Sequence, residues 1–264
     1  LGSAARDPAF AAAFLEEAAF GSKLSHRAIV RVEVCFQFDD GLFQVMELID
    51  GPDIRGVLAR AATWGHAMPP ALAAFVAHEI ADALAYIHQF ERERFSPVGL
   101  THRGVSSDSI MIDRDGRVRL LDFGIARARE RVAGLAVVSS RGSLAIYRPS
   151  GSRVLAHRRV RRLGAVLSEM LGANPQGRLN DALVPRELCD LVGAMLAPAR
   201  SSRLADLAAV RARLSAASAD ERALALWWRQ FVVDAEHRIE RAAGPMEGPE
   251  SAYGLAGTFG GERS

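Results

Sequence analysis

The order of hydrophobic patterns along the chain predicts an α+β fold, with β-rich runs concentrated early and helical periodicities dominating later. Two runs rich in branched and aromatic residues, Ile29 to Phe36 and Leu42 to Leu48, flank Asp39-Asp40-Gly41 and read as a hairpin. A second pair, Ser109 to Ile112 and Arg117 to Leu120, flanks Arg114-Asp115-Gly116 in the same way. Around these, apolar residues recur every three or four positions over several long stretches, the spacing of helices that bury one face.

In chain order, Pro8 to Lys23 carries Phe10, Phe14, Ala18 and Gly21 at helical spacing, with Glu16 and Glu17 among the polar positions. After the first hairpin, Gly51-Pro52 breaks the pattern, and a short helix with Ile54, Val57 and Leu58 is expected to end near Gly65. Pro69-Pro70 opens a longer helix whose inward residues are Leu72, Phe75, Val76, Ala83, Leu84 and Ile87. Further helices are expected over Val160 to Leu171, across Leu188 to Leu196 with Pro198 as a stop, and from Leu204 to Leu214. From Asp220 to Arg241, the residues Leu224, Trp227, Trp228, Phe231, Ala235 and Ile239 form one apolar stripe, which reads as a helix docked on the domain in preference to one held by a partner. The tail after Ala243 is rich in Gly and Pro and reads as disordered.

The 264 residues are 49% hydrophobic and 24% charged with a net charge of +2, an ordinary globular balance that gives no global pull toward nucleic acid or anionic membrane. Cys35 and Cys189 stand apart from each other and from any His cluster, so two reduced, core-filling thiols are expected. No run is read as a membrane span and no leader is read at the start, and the expectation is a soluble cytoplasmic protein. Leu1 rather than Met stands first, which leaves room for a longer polypeptide upstream. The cluster His157-Arg158-Arg159-Val160-Arg161-Arg162 invites a nucleic-acid reading, but no aromatic residues interleave with it. No nucleic-acid partner is expected.

Two short strings carry the chemistry. Leu121-Asp122-Phe123-Gly124 offers a carboxylate to a hard cation, and it follows His102-Arg103-Gly104 by about twenty residues, with the second hairpin between them. Together with Leu24-Ser25-His26-Arg27-Ala28-Ile29-Val30, Val45-Met46-Glu47-Leu48-Ile49 and Leu163 to Leu171, they resemble the bacterial Ser/Thr protein kinases of the eukaryotic-like type over about residues 8 to 217. The resemblance implies a partial small lobe over 1–49, made of one helix, two strands and the hinge, and a helical large lobe over 50–218. The remaining segments are the docked helix at 219–243 and the tail at 244–264. It also implies ATP and Mg2+ as cofactors, bound weakly or not at all, with Asp122 as the metal ligand and Glu17, Met46, Glu47, Ile49 and Met111 in the nucleotide set. Met46 is the gatekeeper in that scheme, and backbone groups of Glu47 and Ile49 meet adenine.

Where the family places its catalytic aspartate, this chain has Gly104, its lysine is Ser106, and its metal-binding asparagine is Ser109. Glycine cannot orient an acceptor hydroxyl, and phosphoryl transfer relies on such positioning and on charge stabilisation. Ser150 replaces the glutamate that would face Arg203, and Arg159 replaces the aspartate that supports the catalytic loop. No Gly-rich loop or V-A-x-K strand precedes the helix that carries Glu17, so the first strands either lie upstream or are lacking. The favoured expectation is a catalytically impaired pseudokinase that works by binding a protein partner. The alternatives are a divergent or fragmentary Ser/Thr kinase and a truncated relic with no selected activity.

Overall fold

The computed structural model describes residues 8–39, 41–93, 105–121, 137–138, 144–145, 152–174, 177–180, 182–198, 206–216 and 219–231. The chain starts with α1 (Pro8–Gly21), which turns Phe14 and Ala18 inward, and continues into the antiparallel hairpin of β1 (Val32–Phe38) and β2 (Gly41–Met46). The predicted first strand began at Ile29, but residues 29 and 30 serve another partner. Ile29 bridges Leu120, and the Val30 N–H donates to the Leu120 carbonyl at 3.0 Å. The strand therefore starts at Val32 and runs on to Phe38, where Asp39 takes the left-handed conformation (φ 48°) that a short polar side chain tolerates.

A linker at 47–53 leads into α2 (Ile54–Thr63), capped by Asp53, whose carboxylate accepts the Gly56 N–H at 2.6 Å. Next come α3 (Pro70–Glu93) and the hairpin β3 (Ile110–Ile112) with β4 (Val118–Leu120). Its turn is organised by Asp113, whose Oδ1 accepts from Asp115 N and Arg117 N at 2.9 Å each, and by Gly116 at φ 84°. Two-residue strands β5 (Val137–Val138) and β6 (Leu144–Ala145) pair antiparallel. Then follow α4 (Ser152–Met170), α5 (Arg186–Leu196), α6 (Leu207–Ser215) and helical residues 221–231. The fourth helix starts eight residues before the predicted Val160, because the basic stretch there is the first part of a helix with two faces: His157, Arg159 and Val160 are buried, while Arg158 and Arg161 are exposed. The predicted continuation to Arg241 and the tail after Ala243 lie outside the described residues.

The core is one continuous cluster from Leu24 to Phe231 with α3 at its centre, packed against α4, α6 and β4. Sequence patterning found no membrane-length segment, yet Pro70–Phe90 is long and apolar enough by length and composition. Its surroundings supply the correction: 67% of that stretch is buried inside the protein, which makes it a core helix. Leu224, Trp227, Trp228 and Phe231 are buried against this same body, so the described part of the apolar stripe docks on the domain, while Ala235 and Ile239 lie outside the described residues. At the other end, Phe20 meets Phe90 edge to face at 5.3 Å and joins α1 to α3. The hairpin β1–β2 differs from the rest of the protein. Val34, Phe36 and Phe38 share one face with Phe43 and Val45, and all five are exposed, with Phe36 and Phe43 stacked at 5.5 Å.

Charge fixes the loop between α1 and β1 onto the side of α3. His26 Nε2 lies 3.1 Å from Asp82 Oδ2, Arg211 from α6 bonds the other oxygen of the same carboxylate, and Arg27 reaches the buried Glu79 at 2.5 Å. Burial pushes the Asp82 carboxyl up, but the His26 hydrogen bond and the Arg211 charge outweigh it and hold the group below its ordinary value. Its stabilising contribution is therefore full above the ordinary aspartate range near ~3.9 and is lost as pH falls below that. Asp82→Asn is expected to lower stability at neutral pH and to flatten this part of the acid limb, measured by urea melts from pH 7 to pH 3. Gly51 sets a second expectation, because a Cβ there would lie 1.9 Å from the Ile112 carbonyl oxygen. Gly51→Ala should cost about 1–3 kcal/mol in the same melts.

Candidate functional site

The linker after β2 is held by backbone and charge together. Glu47 donates its N–H to the Arg31 carbonyl at 3.0 Å, while its carboxylate accepts the Arg31 N–H at 2.8 Å and the Arg119 guanidinium at 2.7 Å. Arg119 and Glu47 are only 18% and 23% exposed, which shields their attraction from solvent. Leu48 points outward at 92% exposure, Ile49 is buried, and the Ile49 carbonyl accepts from Gly51 N at 3.1 Å. The chain then runs beside β3: Ile112 N donates to the Pro52 carbonyl at 3.0 Å, and Asp53 bridges Met111. Of the residues assigned to nucleotide, Glu47, Ile49 and Met111 are thus gathered around the linker and β3. Met46 ends β2 opposite Val32.

Below the linker lies the loop that precedes β3. Residues 107–109 form a 3₁₀ turn, and Ser109 is 2% exposed. Its hydroxyl accepts the Ser106 N–H at 3.0 Å and donates to the Ser106 carbonyl at 2.9 Å, which also accepts the Ser109 N–H at 3.0 Å. The side chain closes a ring on its own loop, and its one proton is spent inside that ring. Leu121 N donates to the Ser109 carbonyl at 2.8 Å, so the residue just before Asp122 is fixed against this turn. Asp122 itself, Gly104 and the Glu17 side chain lie outside the described residues, as do Ser150 and Arg203.

Two contacts were missed in the sequence. Fully buried Ser107 donates to Glu169 Oε1 at 3.0 Å and so ties the loop to α4 through a pair sixty-two positions apart, which no local pattern announces. Asp108 faces Arg55 of α2 at 3.6 Å with both side chains exposed, an outward position for the carboxylate that lies nearest in sequence to the loop's serines. Arg159, on α4, is buried at 4% exposure. Cys35 and Cys189 are half-buried and in no disulfide, the Cys189 thiol donates to the Val184 carbonyl at 3.8 Å, and burial raises Cys35 above its ordinary value. Among the described residues no three His, Cys, Asp or Glu side chains gather as a metal site. For magnesium, Ser109 does not fit as a ligand: its hydroxyl is neutral, buried and engaged on both sides, whereas a hard cation requires available oxygen donors.

An α-helix and hairpin joined through a linker to a helical body, with a loop and a second hairpin below the linker and the sequence Leu121-Asp122-Phe123-Gly124 next in the chain, define a two-part fold. The family follows from comparison. A family model described as protein kinase domain matches residues 3–145, more than half of the chain, and the chain belongs to the protein kinase family. The tyrosine-protein kinase MasK of Myxococcus xanthus is 30% identical over 183 residues, covering 67% of this chain and 28% of that protein. A probable serine/threonine-protein kinase of Streptomyces coelicolor is 31% identical over 180 residues, 65% of this chain and 25% of its own length. Serine/threonine-protein kinase PknB of Mycobacterium leprae is 31% identical over 179 residues, with 65% and 27% covered. The chain thus spans roughly a quarter of the length of these relatives. In fold it is similar to the PknI kinase domain of Mycobacterium tuberculosis, with a TM-score of 0.57, 23% identity and 81% of each chain covered. The family uses ATP and Mg2+ in general.

The ring at Ser109 has a measurable weight. Ser109→Ala removes both side-chain bonds to Ser106 and should destabilise the protein by about 1–3 kcal/mol in chemical denaturation.

Proposed function

We propose that this kinase-family chain is a pseudokinase, a domain that works by engaging a protein partner and transfers no phosphate, with nucleotide bound weakly or not at all. The observation that carries this reading is the Ser109 hydroxyl closed onto Ser106, at the position where the family's pattern has its second metal ligand. The sequence supports it on either side, with Gly104 where an acceptor hydroxyl would need a carboxylate and Ser106 where a cation would face phosphate. Asp108, turned outward to Arg55, is poorly placed to substitute. What persists in this reading is scaffold: the linker, the Ser107–Glu169 tie and the packed helices present a surface whose shape does not depend on transfer.

A second reading, a divergent Ser/Thr kinase, draws on the similarity to serine/threonine-protein kinases and on the presence of Asp122. One set of measurements separates the two. With radiolabelled ATP, magnesium and a general acceptor protein, the purified chain should incorporate and transfer no label. Millimolar Mg-ATP should stabilise it by less than about 1 kcal/mol, and any gain should vanish in Asp122→Ala. Transfer of label above a no-protein control, or a large Mg-ATP stabilisation that depends on Asp122, would establish the second reading in place of the first.

A further inference from the structure

The helical residues 221–231 lie beyond the part of the chain that matches the kinase family model, and their contacts converge on one place. Their apolar side holds them to the body through buried Leu224, Trp227, Trp228 and Phe231. Their polar contacts reach the 47–53 linker by two separate routes. On the outer route, the Arg229 guanidinium donates to the Arg114 carbonyl, and the Arg114 side chain reaches Asp50 with Nε 2.6 Å from Oδ2. On the inner route, Glu221 lies 4.0 Å from Arg27, the Arg27 carbonyl accepts from Arg119, and Arg119 holds Glu47 at 2.7 Å. Glu47 opens the 47–53 linker and Asp50 lies at its middle. Between the routes the helix backbone comes so close to the β3–β4 turn that a Cβ on Gly116 would sit 1.9 Å from the Glu221 carbonyl oxygen.

From this convergence we infer that residues 221–231 are a strap built into the chain, which clamps the β3–β4 turn and through it fixes the linker between the small and large parts of the fold at Glu47 and Asp50. The apolar side chains supply the docking, and the arginines set the register that the linker feels. Burial alone would hold the helix anywhere along an apolar groove, whereas a guanidinium on a specific carbonyl defines one position. The two routes differ in strength. Arg114 and Asp50 are 63% and 65% exposed and Arg27 and Glu221 59% and 43%, so both of these attractions are screened, while the Arg119–Glu47 pair at the end of the inner route is shielded. The strap holds whether or not nucleotide binds, because every contact in it is made by the chain itself.

Amide hydrogen exchange on the full chain tests it without reference to activity. Arg229→Ala, which removes the outer route and leaves the apolar docking in place, should speed exchange across residues 47–53 roughly threefold. Exchange in the α3 core, residues 72–87, and tryptophan emission should stay at their original values, and Arg229→Lys, which keeps a donor of similar reach, should lie near the parent protein. Unchanged exchange at 47–53 in Arg229→Ala would overturn the inference. So would an equal rise in α3, which would mark general destabilisation and no specific hold on the linker.

Discussion

A helix that is apolar on nearly every side has to be surrounded, and α3 places that demand on the whole protein. Leu72 through Ala77, Ile80, Ala83, Leu84 and Ile87 are all buried, which leaves little of the helix for water. The chain meets the demand with α4, α6, β4 and the docked helix around it. Among the described side chains, charge enters along one strip, where Glu79 and Asp82 take Arg27, His26 and Arg211 from elements distant in sequence. Because paired carboxylates in a mostly apolar wall tolerate few arrangements, this strip decides how the loop before β1 meets the body. The same loop then hands Ala28 and Val30 to Leu120, so the placement of the second hairpin follows from the placement of α3.

The fold was legible wherever a local period was strong. Both hairpins, the long helix from Pro70, the helices around Leu188 and Leu207 and the docked apolar stripe were all readable from spacing alone. Where tertiary pairing competes with local pattern, boundaries moved. Ile29 and Val30 look like strand residues, and they do make strand-like bonds, but to β4 and not within their own hairpin. The basic stretch at 157–162 hid the first two turns of α4, since charged residues on an exposed face and a buried His157 and Arg159 do not give a simple apolar period. At the site, motif order identified the family, and the substitutions at Ser106 and Ser109 were visible as letters. That the Ser109 hydroxyl would turn back onto Ser106 was not, because a serine's partners depend on loop geometry that one sequence does not encode locally. The tie between Ser107 and Glu169 was hidden for the same reason.

The serines of the loop before β3 turn inward. Ser106, Ser107 and Ser109 make bonds to backbone and to α4. Such contacts favour stability over chemistry: each satisfied buried hydroxyl removes a polar liability, and each is one group fewer available to a ligand. The linker shows the same tendency, with the Glu47 carboxylate committed to Arg31 and Arg119.

The β1–β2 ribbon has the opposite character. Its face of Val34, Phe36, Phe38, Phe43 and Val45 is exposed, and none of the five belongs to the continuous core. Two properties usually discussed together are therefore governed by different residues in this chain. Among the described residues, resistance to unfolding draws on the helices around α3, whereas colloidal behaviour, the concentration at which copies begin to adhere, draws on exposed apolar side chains such as these five.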